Sequence, residues 1–100
     1  MGNKEENVRV VYFKTGKDLE VGTMVNSVEG MQKAIGGGCV EVLSAGITDM
    51  VILCDEDGIS KGLPLNRGLR GDWLIVGTNG FEFLSLKDEQ IEWIMKAPIE

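Results

Sequence analysis

Lys61, Arg67 and Arg70 are three of only ten basic residues in the chain, and they fall in one stretch, Lys61-Gly-Leu-Pro-Leu-Asn-Arg-Gly-Leu-Arg-Gly-Asp72. Arginine offers a planar fork of donors that matches phosphate or carboxylate, and a glycine such as Gly62 lets a ligand approach backbone amides. Asn66 adds a carboxamide that both donates and accepts. The stretch therefore points to capture of a small anionic ligand, with Lys61, Arg67 and Arg70 on phosphate and Asn66 on a base or ribose. A structural use of the same residues stays open. In that reading Pro64 fixes a turn, Asn66 caps a short helix, and the arginines bond loop carbonyls or the carboxylates of Asp55, Glu56 and Asp57.

Other chemistry is removed by composition and spacing. The chain has no histidine, so it has no imidazole base, no Ser-His or Cys-His pair and no histidine metal ligand. The expectation is a protein that is not an enzyme and uses no cofactor or metal. Asp55-Glu56-Asp57-Gly58 begins like a calcium loop, but Ile59 stands at its fifth position and Asn66 at its twelfth, so an acidic turn is expected. Thr15-Gly16-Lys17 lacks the upstream glycine of a phosphate loop, and Gly36-Gly37-Gly38 follows a helix rather than opening one. Cys39 and Cys54 fit no zinc pattern and are expected to be buried, reduced thiols. The net charge of −6 disfavours nonspecific contact with nucleic acid and suits contact with a basic protein. No apolar run reaches membrane-spanning length and the first residues carry no signal-peptide core, so a cytoplasmic protein is expected, with no membrane partner.

These residues must be positioned by a domain of ordinary composition, 43% hydrophobic and 26% charged over 100 residues. A single domain over 1–100 is expected, with 1–6 frayed. Val8 to Phe13 is β-branched and aromatic and predicts a strand, with a return strand through Leu19, Val21 and Thr23 after the turn at Gly16. Asn26 with Glu29 has the form of a capping box, and Val28, Met31 and Ile35 recur at helical spacing before the three glycines. Cys39 to Leu43 and Ile47 to Cys54 predict two more strands, the second apolar enough to lie inside a sheet. Trp73 to Val76 predicts another, then a turn over Gly77 to Gly80 and a return strand over Phe81 to Leu84. Ser85 with Asp88 predicts the cap of a last helix, whose stripe is Leu86, Ile91, Ile94 and Met95 and whose end is marked by Pro98. The sum predicts an α+β fold, a mostly antiparallel sheet of five or six strands with two helices on one face. An uncovered sheet edge makes a homodimer a further expectation.

The segment Cys54-Asp-Glu-Asp-Gly-Ile-Ser-Lys-Gly-Leu-Pro-Leu-Asn-Arg67, with Gly71-Asp72 and Ile75-Val-Gly-Thr78, resembles a family of small phage, plasmid and mobile-element proteins, a domain of unknown function marked by Gly-Leu-Pro-x-Asn-Arg. The resemblance extends over nearly the whole chain, including the Ser85-Leu-x-Asp-Glu89 ending. It implies an origin in a mobile element and a site in the cytoplasm of a host bacterium, and it implies no reaction. Two functions follow as expectations. One is a binding protein that captures a small anionic ligand such as a nucleotide, in a counter-defence role. The other is an acidic inhibitor that presents Asp55, Glu56 and Asp57 to a host nucleic-acid-handling or defence enzyme.

Overall fold

The β-branched run at the start of the chain forms the expected strand, β1 (Asn7–Phe13), in a computed structural model that describes residues 6–47 and 49–96. It pairs antiparallel with β2 (Glu20–Val25) from Asn7 opposite Val25 to Tyr12 opposite Glu20. The remaining elements are α1 (Val28–Ala34), β3 (Val40–Ser44), β4 (Met50–Asp55), the short β5 (Leu65–Asn66) and β6 (Leu69–Arg70), β7 (Trp73–Thr78), β8 (Phe83–Leu84) and α2 (Asp88–Lys96). The main sheet runs β2-β1-β7-β4-β3, with β8 also paired to β7. Every pairing in it is antiparallel. The fold is thus α+β, with two helices and a mostly antiparallel sheet, as the sequence predicts.

Alternation along β7 places its side chains on two apolar faces. Trp73 and Ile75 join Val11, Phe13, Met50, Cys54, Leu86 and Ile94 in one core layer. Leu74 and Val76 join Val8, Val10, Met24, Leu53 and Ile35 in the other. The α2 residue Ile94 belongs to the first layer, while Met31, Ala34 and Ile35, from α1 and its end, belong to the second. The helices therefore lie on opposite faces, not together on one. Strands β4 and β7 are apolar on both sides and each needs two covers, which one pair of helices on one face would not supply.

The helix ends differ from expectation in detail. Ser27, not Asn26, caps α1, its Oγ accepting from the Gly30 amide at 2.9 Å, while the Asn26 side chain donates to the Phe83 carbonyl. At the other end Gly36, Gly37 and Gly38 carry φ of 90, 97 and 104°, as expected of a left-handed stop. Gly37 donates to the Gln32 carbonyl and Gly36 to that of Lys33, the paired bonds of a Schellman ending. Ser85 is not a helix cap either: its Oγ accepts from the Arg9 amide, and Leu86 N–H bonds the Arg9 carbonyl, so this segment is tied to β1. The first turn of α2 is closed by Gln90 Oε1, which accepts from the Lys87 amide. Strand β4 starts at Met50 rather than Ile47, after the left-handed Asp49 with φ of 72°. Gly77 lies within β7, and the turn falls on Asn79, whose Oδ1 accepts from the amides of Phe81 and Glu82. Cys39 is exposed and Cys54 buried, both as free thiols. The expected stop at Pro98 and the fraying of residues 1–5 lie outside the described residues.

Close packing of α1 on β2 depends on Gly30, where a Cβ would run into the Val25 carbonyl. Gly30→Ala is expected to destabilise the fold by about 1–3 kcal/mol, although alanine is the better helix former, because the helix must shift to admit the methyl. Urea unfolding of the two proteins measures the difference.

Candidate functional site

Residues 61–72 are a small ordered hairpin rather than an irregular loop. Leu65 pairs with Arg70 and Asn66 with Leu69, leaving a two-residue turn of Arg67 and Gly68. Both turn residues carry positive φ, 52° and 96°, the backbone that tight hairpins of the type I′ class require. Gly68 adopts it freely, and Arg67 does so at some cost. The Gly71 amide closes the stem by donating to the Pro64 carbonyl at 2.8 Å.

Asn66 fixes the hairpin to the sheet. It is a buried strand residue and not a helix cap, since the sequence here pairs with Leu69 instead of turning into a helix. Its Nδ2 donates to the carbonyls of Phe13 at 2.8 Å and Gly71 at 2.9 Å, and its own carbonyl accepts from Trp73 Nε1 at 2.9 Å. Phe13 and Trp73, brought side by side in the sheet, stack with ring centroids 3.9 Å apart and planes 4° off parallel. The Arg67 guanidinium completes the arrangement. It donates to Asn66 Oδ1 at 2.8 Å and the Lys17 carbonyl at 2.7 Å, and sits 5.8 Å from the Phe13 ring centroid.

The other residues singled out from the sequence are distributed around this hairpin. Lys61 Nζ contacts Asp55 Oδ2 at 2.8 Å, and the Asp55 side chain is buried, with Oδ1 accepting from the Asp57 amide. The Lys61 hydrogen bond and the Asp57 amide hold the Asp55 carboxyl below its ordinary range against the opposing effect of burial. The same bond to Asp55 raises the Lys61 ammonium above its usual value. The Gly62 amide is spent on the Ile59 carbonyl at 3.0 Å. Glu56 and Asp57 remain at the surface. Arg70 is exposed, with one long contact of 3.4 Å to the Leu63 carbonyl, so of the three cations it has the most donors left for a ligand.

Beneath the hairpin lie two adjoining clefts that share Leu43, Gly68 and Leu69. The larger, about 310 Å³, is walled by Met50, Ile52, Ile75 and Trp93, with Arg67 also lining it. The smaller, about 180 Å³, is lined by Arg70 together with Glu41, Cys54, Asp55 and Leu65. The site is thus an apolar recess with arginines at its walls, not a ring of free cations. Trp93, left between core and surface by the sequence, is half exposed beside the recess. Sequence reasoning also passed over Arg9. Its guanidinium donates to the Leu86 carbonyl at 2.9 Å and Asp88 at 2.8 Å, which seats α2 and with it Trp93. The signal for Trp93 was its place one residue before buried Ile94 on a short helix; for Arg9 there was none, because its partners are more than seventy positions away.

The chain belongs to the family described as Domain of unknown function (DUF3846), which matches residues 8–98. No curated protein and no solved structure matches it significantly.

Asn66→Ala removes the donor to two carbonyls and the acceptor for Arg67, all at buried or half-buried positions. It is expected to cost about 2–4 kcal/mol, read by chemical unfolding, since unpaired buried groups lose their hydration without replacement. The Asp55 and Lys61 pair gives a pH dependence of known sign. Asp55 has a folded-state value below the ordinary 3.8, so its contribution is full above that value and is lost as pH falls through the lowered one. Lys61, raised above 10.5, contributes below that value and loses its part as pH rises through the raised one. In Lys61→Met, melting temperature against pH should fall less steeply on the acid side than in the parent protein.

Proposed function

We propose that this DUF3846 protein is a non-catalytic binding protein that captures a small anionic ligand with a flat apolar part, such as a nucleotide, at the recess under the 61–72 hairpin. The supporting observation is that recess: an apolar cleft of about 310 Å³ that joins exposed Trp93 to Arg67. Its size lies at the small end of the range for ligand pockets, roughly 300 to 1,000 Å³, and suits one nucleobase-sized group. A flat ring would lie against Trp93, Ile52 and Leu43, while its anionic group would reach the exposed Arg70 and the edge of Arg67. Lys61 and Gly62, occupied by Asp55 and Ile59, support the hairpin and stay out of the ligand's way. The resemblance to phage and plasmid proteins supports an origin in a mobile element and a counter-defence role in the host cytoplasm, where a signalling nucleotide is the fitting ligand.

The second reading is an acidic inhibitor of a host nucleic-acid-handling or defence enzyme. It draws on the net charge of −6 and on exposed Glu56 and Asp57, but with Asp55 folded inward two of its three proposed contact carboxylates remain.

Linear and cyclic mononucleotides titrated into the protein should quench Trp93 emission and raise the melting temperature, because a ligand that binds only the folded state stabilises it. Trp93→Ala should weaken binding roughly tenfold, the loss expected from removing one stacking face. Buried Trp73 also lines the recess, so the emission change left in Trp93→Ala gives its share of the signal. No thermal shift with any member of the panel would remove the ligand reading.

A further inference from the structure

We propose a second anion site, for a phosphate ester of a hydroxylated compound such as a sugar phosphate, in the groove between α1 and the β1–β2 hairpin. The groove has a volume of about 410 Å³ and is lined by Tyr12, Lys14, Thr23, Lys33 and Asp72 among others. Tyr12 and α1 share the sheet face opposite to the recess under the 61–72 hairpin. The site therefore uses none of the residues of the proposed nucleotide recess and stands independently of it.

Its floor is fixed. Gly22 stands opposite Val10 in the β1–β2 pairing, and a Cβ there would lie 3.0 Å from Tyr12 Cε2, so the missing side chain makes room for the ring. The Tyr12 hydroxyl donates to the Thr23 carbonyl at 2.6 Å and holds the ring in place. Lys14 Nζ rests 5.2 Å from the Tyr12 ring centroid and 3.7 Å from Glu20, a loose pairing that an incoming oxyanion can replace. Lys33, in the last turn of α1, makes no ion pair among the described residues. In a chain of net charge −6, these two lysines line one concave surface.

The chemistry of the lining selects the ligand class. Two lysines favour a phosphate dianion over a carboxylate, since two ammonium charges balance its two negative charges. Asp72 lines the same groove with Oδ1 accepting from the Thr15 amide at 2.9 Å, which leaves Oδ2 to accept from a hydroxyl. A carboxylate beside two cations rejects a fully anionic ligand and fits one with an anionic group and hydroxyl donors. That combination describes a sugar phosphate.

The test is a titration of the full chain with ribose phosphate, followed by amide nuclear magnetic resonance. The expected shifts are at Thr23, Gly30, Lys33, Gly36 and Asp72 around the groove, with the amides of residues 61–70 unmoved. The double variant Lys14→Ala with Lys33→Ala should bind about tenfold or more weakly, as loss of two charge-assisted contacts implies, and Lys33→Arg should retain binding. Both lysines are at least partly exposed, and an unchanged melting temperature confirms that the variants fold. Absence of shifts in the groove, shifts confined to the hairpin, or equal affinity in the double variant would overturn the assignment. Failure of nucleotides to occupy the Trp93 recess would leave these groove shifts in place, so the two sites fail separately.

Discussion

The carboxamide of Asn66 is buried where β1, β7 and the small hairpin meet, and it satisfies groups on β1 and on the hairpin. Without it the carbonyls of Phe13, at the end of β1, and Gly71, after β6, would lose this donor. Its backbone carbonyl takes the indole proton of Trp73, which in turn holds that ring flat against Phe13. A single residue thus couples hydrogen bonding to aromatic packing, and the hairpin becomes part of the sheet rather than a loop resting on it. The roof of the recess, built from Arg67, Gly68 and Leu69, has its position because Asn66 has its own.

That constraint changes what the arginines do. A guanidinium carries five donors, and Arg67 spends its fork on Asn66 and the Lys17 carbonyl while lying over Phe13. Lys61 is held in the same way by Asp55, whose buried carboxylate needs a partner. The basic cluster therefore serves first to build the hairpin, and the donors it has left are those of Arg70 and the remaining edge of Arg67. The apolar recess emerges from this construction. Sheet residues from β3, β4 and β7 form one wall, the hairpin another, and α2 brings Trp93 to the opening.

Much of the fold was legible because its signals are local. The alternation of Trp73 to Val76, the β-branched run of Val8 to Phe13 and the glycines after Ile35 each specify their own geometry. What was illegible is nonlocal. Ser85 follows the rules of a helix cap, yet it is claimed by Arg9 across the sheet, and the helix closes on Gln90 instead. Asn66 reads locally as the cap of a short helix, and only the pairing with Leu69 makes it a strand residue entering a tight turn. The sequence also places both helical stripes, but the expectation that they share one face fails because the central strands are apolar on both sides. At the site, the clustering of Lys61, Arg67 and Arg70 was visible, and so was the option of loop carbonyls and the Asp55 turn as internal partners, but not that Asp55 takes Lys61 while Arg67 takes the Lys17 carbonyl. The Lys14 and Lys33 groove joins residues nineteen positions apart through the packing of Gly30 and Gly22, which no local pattern announces.

The hairpin is locked from within by Asn66. Hydrogen exchange of the Trp73 indole proton and the Asn66 side-chain amide protons, followed by nuclear magnetic resonance, reads that lock at its two ends. These protons should exchange only on global unfolding, at the same free energy as the backbone amides of β7. Exchange through a low-energy local opening, with the β7 amides still protected, would show a hairpin that lifts freely from the sheet and would contradict that lock.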